Sequence, residues 1–312
     1  MMLGKTAGGL YWMFRYLERS ENTARLIEAG FRIALTRPGG DEWQSVLQTA
    51  AAKQAYDATY DTVEQATAID FLLRDKNHPS SVLNCIGMAR QNARLVRTAL
   101  TREVWEAVND TYMLLTQRLA RPVRDRDLPE VLALIRQQSA LVRGTMHGSM
   151  LRNDVYDFSR IGTFIERADN TARILDVKYY VLLPSVTQVG SSLDNVQWET
   201  ILRSVSGVRS YSWLHQGKIT PLGIADFLIF DPRMPRSLKF SIGKIRSNLD
   251  MLEREYGDHH ICHDTAETLN KRLQSGNVEA VFDDGLHEFL TEFLGDTARL
   301  GQEIETSYRF HG

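Results

Sequence analysis

A Glu-Arg pair, followed by an acid, an asparagine and a second arginine, occurs twice in this chain. The first copy reads Glu18-Arg19-Ser20-Glu21-Asn22-Thr23-Ala24-Arg25-Leu26-Ile27, and the second Glu166-Arg167-Ala168-Asp169-Asn170-Thr171-Ala172-Arg173-Ile174-Leu175. Six of the ten positions are identical and the other four are conservative. Two chemistries follow from these residue types. Arginine forks hold carboxylates and phosphates in bidentate fashion, so Glu18, Glu21, Asn22 and Arg25 with Glu166, Asp169, Asn170 and Arg173 could form a cleft for an anion or a peptide. Alternatively, a carboxylate pair could act as general acid and base, given suitable geometry. Against both stands a structural reading, in which the residues are a satisfied buried network. Removing one partner of a buried ion pair costs roughly 3–5 kcal/mol, enough to resist change in both copies.

Other groups are candidates of the same kind. Arg90, with Asn92 and Arg94, and Arg246, with Asn248, lie at matching places and read either as a solvated helix face or as an anion-binding stripe. His259 and His263 have the i,i+4 spacing that sets two metal ligands on one helical face. Gly257 and Asp258 precede them and Asp264 reads as an N-cap, so a loop is expected, with no metal and no cofactor. The Gly-rich phosphate loop, the dinucleotide Gly-x-Gly-x-x-Gly and the nucleophile-elbow Gly-x-Ser-x-Gly do not occur, which removes the chemistries that need their backbone geometry.

These residues must be positioned by helices. Apolar residues recur with helical period and alternating strand patterns are scarce. The first helix is expected over about Leu10 to Leu35, with a stripe of Leu10, Met13, Leu17, Ala24, Ile27 and Phe31, ended by the Thr36-Arg37-Pro38-Gly39-Gly40 run. A second carries Trp43 toward Tyr56. Others span about Asp61–Arg74, Ser80–Leu100, Arg102–Leu119 and Pro129–Met150. The stripe then returns 148 positions on as Phe158, Ile161, Ile165, Ala168, Ala172 and Leu175, with Pro184 as terminator. Trp198 and Tyr211 keep the spacing of Trp43 and Tyr56, and Pro235 and Ser237 match Pro79 and Ser81. The last helix, about Asn277 to Tyr308, stands where the sixth stood. The reading is an all-α protein of two tandem-duplicated helical bundle units, 1–154 and 155–312, related by a pseudo-twofold and packed as one body.

Glu21 and Arg25 are an i,i+4 pair, repeated by Asp169 and Arg173, but an exposed pair contributes only about 0.2–0.5 kcal/mol. Arg19 and Thr23, off both the stripe and its polar flank, recur as well. Such all-round constraint predicts that the two helices are covered by neighbours on most sides and pack against each other.

Composition bounds the rest. The 312 residues are 43% hydrophobic and 24% charged, with a formal net charge of −2, so no bulk basic field favours nucleic acid or anionic lipid. Only Cys85 and Cys262 are present, which points to a reducing compartment. The patch Gly8-Gly9-Leu10-Tyr11-Trp12-Met13-Phe14 meets Arg15 too soon for a signal peptide, and no run nears the roughly 20 apolar residues of a membrane span. A cytoplasmic protein is expected.

The same residues resemble the alpha-E domain family of bacteria. The resemblance is carried by Leu10-Tyr11-Trp12-Met13 leading into Arg15-Tyr16-Leu17-Glu18-Arg19, by His78-Pro79-Ser80-Ser81 with Arg90 to Arg94, and by Val104-Trp105-Glu106-Ala107-Val108-Asn109. Gly144-Thr145-Met146 and the second Glu166-Arg167-Ala168-Asp169 complete it. Thr163 departs from the pattern, which has a basic residue there. The resemblance implies an all-helical protein associated with a circularly permuted ATP-grasp ligase and a transglutaminase-like peptidase, and it carries over no catalytic residues. The expected role is a helical scaffold or substrate-presenting partner of an ATP-grasp amide ligase. The alternative is an enzyme acting on a peptide or amino-acid conjugate in the duplicated Glu/Arg/Asn cleft.

Overall fold

The computed structural model describes residues 2–36, 42–181, 192–216 and 219–311, and among these the chain is helical with no strand. The N-terminal series is α1 (Gly4–Thr36), α2 (Glu42–Thr49), α3 (Lys53–Asp57), α4 (Gln65–Arg74), α5 (Val82–Leu95), α6 (Arg102–Arg118) and α7 (Leu128–Ser149). The C-terminal series is α8 (Asp154–Val181), α9 (Ser192–Ser204), α10 (Val208–His215), α11 (Pro221–Ile229), α12 (Leu238–Tyr256), α13 (Ile261–Ser275), α14 (Val278–Asp284) and α15 (Leu286–Ser307). Local chemistry sets many of the starts. Ser81, Thr101, Thr220 and Ser237 each accept a hydrogen bond from the third helical N–H of α5, α6, α11 and α12, satisfying a donor that has no partner inside the helix.

The long helices α1 and α8 pack against each other at the centre. Around α1 stand α5 and α7, and around α8 stand α12 and α15. The short helices cross over: α2 leans on α8, and α9 leans on α1. Both central helices are therefore covered far beyond one stripe. Leu10, Met13, Leu17, Ala24 and Ile27 are buried, and so are Tyr11, Phe14 and Thr23 on other sides of α1. The stripe of α8, from Phe158 to Leu175, is buried throughout. Small residues serve two interfaces: Ser20 meets Ser139 of α7, while Gly162 of α8 admits the backbone of α1. A Cβ on Gly162 would stand 2.2 Å from the Tyr11 carbonyl oxygen.

Three elements differ from the sequence expectation. The helix carrying Trp43 toward Tyr56 breaks after Thr49, where Ala51 takes a left-handed φ of 51° and the Ala52 N–H reaches back to the Leu47 carbonyl at 2.8 Å. The same closure recurs at Ser206, with φ 56° and Gly207 N–H on the Leu202 carbonyl at 2.7 Å. This is the six-to-one helix-end bond that glycine usually supplies. The expected loop over His259–His263 holds only up to His260, which caps α13. His263 is already in the first turn and its Nδ1 accepts the His260 N–H at 2.9 Å. The last helix is two, broken at Gly285 with φ 107°. The expected terminators Pro38 and Pro184 lie outside the described residues. Among those residues no helix is long and apolar enough to cross a membrane.

The Gly162 contact yields a test with an inverted sign. In an exposed helix interior, glycine to alanine stabilises by about 1 kcal/mol. Here Gly162→Ala forces α1 and α8 apart and is expected to destabilise by about 2–3 kcal/mol or more, read from urea unfolding. A neutral or stabilised variant would contradict the close approach of the two central helices.

Candidate functional site

The two Glu-Arg pairs exchange partners. Arg167 of α8 donates from Nε and Nη2 to the two carboxylate oxygens of Glu18, each at 2.9 Å. Reciprocally, Arg19 of α1 donates to both oxygens of Glu166, at 2.6 and 2.9 Å. Each arginine thus makes the bidentate fork that fits a carboxylate, and each half satisfies the other's motif.

The two carboxylates then diverge. Glu18 is wholly buried and also meets Arg143 of α7 and Arg236 of the α11–α12 loop, both at 3.0 Å. Glu21, beside it, is held by Arg25 at 2.7 Å, Arg236 at 2.6 Å and Arg143 at 2.5 Å. Burial alone would raise the Glu18 carboxyl, but Arg167, Arg236 and Arg143 outweigh it and hold the group well below the usual carboxylate range. Burial and the neighbouring Glu18 press Glu21 upward, and its three arginines still bring it below its ordinary value. Arg236 is lowered by burial to about 9, which leaves it charged at neutral pH. Asn22 accepts from Arg236 at 3.0 Å, and Arg25 is tied down further by the Ser204 carbonyl at 3.2 Å and the Ser206 hydroxyl at 2.8 Å. This side is a sealed ionic core.

The other side is open. Glu166 is met by Arg15 at 3.1 Å as well as Arg19, and these two arginines overcome burial to lower its carboxyl. Past Glu166 lies a pocket of about 360 Å³ whose walls include Asn22, His78, Ser80, Asp169, Asn170 and Arg173. Asp169 and Arg173 pair at 2.7 Å but remain 26% and 34% exposed, and among the described residues Arg173 has no loop anchor of the kind that holds Arg25. The reason is legible in the repeat. Ser80, between Pro79 and the N-cap Ser81, stands where Arg236 stands between Pro235 and the N-cap Ser237. Ala51, likewise, stands where Ser206 stands. A small residue and a missing hydroxyl leave empty on this side what Arg236 and Ser206 fill on the other.

Two polar atoms in the pocket wall have no partner. Asn22 Nδ2 and His78 Nδ1 are both buried and unbonded, on residues 3% and 5% exposed. His78 stacks on Phe71 with ring centroids 4.5 Å apart, and burial lowers its pKa, so it presents a neutral ring. Donors from Asn22 and Ser80, cations at Arg19 and Arg173, and carboxylates at Glu166 and Asp169 therefore line one small space. Such a mixture suits a zwitterionic or carboxylate-bearing small group.

The remaining candidates lie elsewhere. Arg90 is on α5, donating to Asn109 Oδ1 at 2.9 Å and lying 4.8 Å over the Tyr112 ring. Arg246 is on α12, paired with Glu267 at 2.6 Å and Asp250 at 3.7 Å. His259 contacts Glu253 and Asp264, at 2.8 and 3.1 Å, and His263 turns back to its own helix cap. Among the described residues no group of three or more His, Cys, Asp or Glu side chains is placed to hold a metal ion. Motif reading did not single out Arg15, His78, Ser80, Arg143 or Arg236 as site residues. One signal was available: Thr163, the departure from the family pattern, occupies the place of Arg15 in the second copy. It bonds only the Ser159 carbonyl, and Arg143 and Arg236 supply the charge that Glu18 would otherwise lack.

Comparison with known proteins gives a consistent picture. The model of the Alpha-E family, described as a predicted alpha-helical domain with a conserved ER motif, matches residues 2–308. Uncharacterized proteins of Mycobacterium bovis and Mycobacterium tuberculosis are 24% identical over 308 residues, covering 91% of this chain and 34% of theirs. The chain thus spans about a third of the length of the curated relatives it matches. No solved structure matches it.

Two measurements check the contrast between the sides. Glu18→Gln leaves three arginines around a neutral amide and is expected to cost roughly 3–5 kcal/mol in chemical denaturation. Arg173→Ala removes only a partly exposed pair and should cost at most about 0.5 kcal/mol. Equal costs would mean the two sides are not different. For pH the sign is set by the lowered carboxyls of Glu18, Glu21 and Glu166. Their contribution is complete above the unfolded glutamate value near 4.3 and is lost as pH falls through the lower folded-state values. An acid titration followed by near-ultraviolet circular dichroism should show tertiary structure lost cooperatively below about pH 4.

Proposed function

The chain belongs to the Alpha-E family, and from that premise we propose that it is a non-catalytic helical partner of an ATP-grasp amide ligase, built as two units of one duplicated design. It holds the polar end of the ligase's peptide or amino-acid substrate in the open pocket beside Glu166, and it works in the cytoplasm. The observation that carries the binding reading is the pair of orphaned buried polar atoms, Asn22 Nδ2 and His78 Nδ1, in the wall of one pocket. A buried donor left unsatisfied costs about 1–3 kcal/mol, and a ligand that meets it recovers that energy. The partner reading is supported by the family resemblance and by the mycobacterial relatives, in which a region like this chain forms a third of a longer protein. The cytoplasmic reading is supported by the two buried thiols, pushed by burial to about 12 at Cys85 and about 11 at Cys262 and so left protonated and unreactive.

The enzymatic alternative meets a physical obstacle. A mechanism on the two repeated glutamates needs both at the substrate, and Glu18 is sealed; the acid that does share the pocket with Glu166 is Asp169, which is bound to Arg173 at 2.7 Å. Glu166 does face the pocket, but Arg15 and Arg19 keep its carboxyl ionised, which makes it neither a general acid nor a strong base.

The test uses the difference between the copies. Ser80→Arg should fill the pocket as Arg236 fills the other side, leaving the fold intact. Calorimetry with amino acids and dipeptides, free and blocked at their termini, should show binding to the wild type that Ser80→Arg abolishes. Co-expression with an ATP-grasp ligase should give joint elution on size exclusion and a change in ligase turnover on mixing. Separate elution at micromolar concentration with unchanged turnover would sink the partner reading.

A further inference from the structure

A second concavity, outside the pocket, runs along the outer face of α5 between α1 and α6, with a volume of about 960 Å³. We propose that it docks an acidic, aromatic-bearing peptide segment of a partner protein. Its wall carries Arg19, already paired with Glu166, and three further cations, Lys76 at one end, Arg90 in the middle and Arg94 at the other, with no carboxylate side chain. None of these three cations has a carboxylate partner among the described residues. Arg90 is pre-set rather than free: Asn109 takes its Nε–H at 2.9 Å and Tyr112 supports its face, which points the rest of the fork into the groove. The floor is apolar and aromatic, made by Tyr16, Leu83, Met88 and Tyr112. Tyrosine, methionine and arginine are the side chains enriched at protein interfaces.

The dimensions and charge point to a peptide. From Pro79 to Arg94 the groove follows about 20 Å of chain, the reach of roughly six extended residues. A chain of net charge −2 offers no wider basic field, so nucleic acid would find three cations and little else. The matching face of the second series is unlike it. Arg246 there is neutralised by Glu267 and Asp250, and Asp250 stands where Arg94 stands.

The groove shares Arg19 with the pocket beside Glu166 but takes its unpaired cations from Lys76 and α5, so variants there separate the two. A short fluorescein-labelled peptide alternating glutamate with tyrosine is titrated with the full chain at low salt, and anisotropy is read. Lys76→Glu and Arg94→Glu, both at exposed positions, should each weaken binding about tenfold or more, with circular dichroism unchanged. Arg246→Glu and Arg173→Ala should leave it unaltered. Affinity should fall as salt rises. Equal binding of the peptide with glutamine in place of glutamate, tighter binding of a single-stranded oligonucleotide, or indifference to both charge reversals would overturn the proposal.

Discussion

The exchange of Glu18 with Arg167 and of Glu166 with Arg19 is the interaction on which the rest depends. Four charged side chains are withdrawn from water between two packed helices. Desolvation of that order is repaid only when every lone pair and every N–H finds a partner in good geometry. The fork-to-fork contacts supply part of this. The lone pairs that the forks leave over are met by recruiting Arg15, Arg143 and Arg236 from α1, α7 and the α11–α12 loop. Those elements are thereby held against the central pair, which is why α1 and α8 are covered on nearly every side. Gly162 on the Tyr11 carbonyl sets the distance at which the exchange can form.

The pocket is a by-product of imperfect repetition. Had position 80 been arginine and position 51 serine, the second side would close as the first does. A serine and an alanine stand there, and among the described residues Arg173 keeps one acid and no loop contact. The open site and the sealed core are therefore the same design in two states of completion. The structural reading of the repeated motif describes the Glu18 side, and the proposed binding rests on the open geometry beside Glu166.

How much of this was legible in the sequence depends on the length scale of the signal. The stripes of α1 and α8 run over many turns, and their mutual packing and broad burial followed from residues recurring off the stripe. Arg25 and Arg173 differ in surroundings that no motif shows, because those surroundings come from residues far away in the chain. Arg143 and Arg236 carry no motif, and nothing local marks them as partners of Glu18. Helix ends were lost for a different reason. Ala51 and Ser206 adopt the left-handed conformation without being glycine, at a local cost of about 1–2 kcal/mol that the surrounding contacts must outweigh. His260 caps α13 although histidine is a poor capping signal. Gly285, with φ 107°, breaks the last helix inside a periodic run that reads as one helix from about Asn277 to Tyr308.

The positions of the arginines also order events in time. A chain emerging from the ribosome presents Glu18 and Glu21 early, on a helix whose apolar residues favour collapse. Arg143 follows about 120 residues later, Arg167 after it, and Arg236, which like Arg143 contacts both acids, last of all. Until then, burying α1 would strand carboxylates in an apolar interior. The N-terminal helices must wait for much of the C-terminal series before they can close, so native closure of the ionic core cannot precede the synthesis of Arg236.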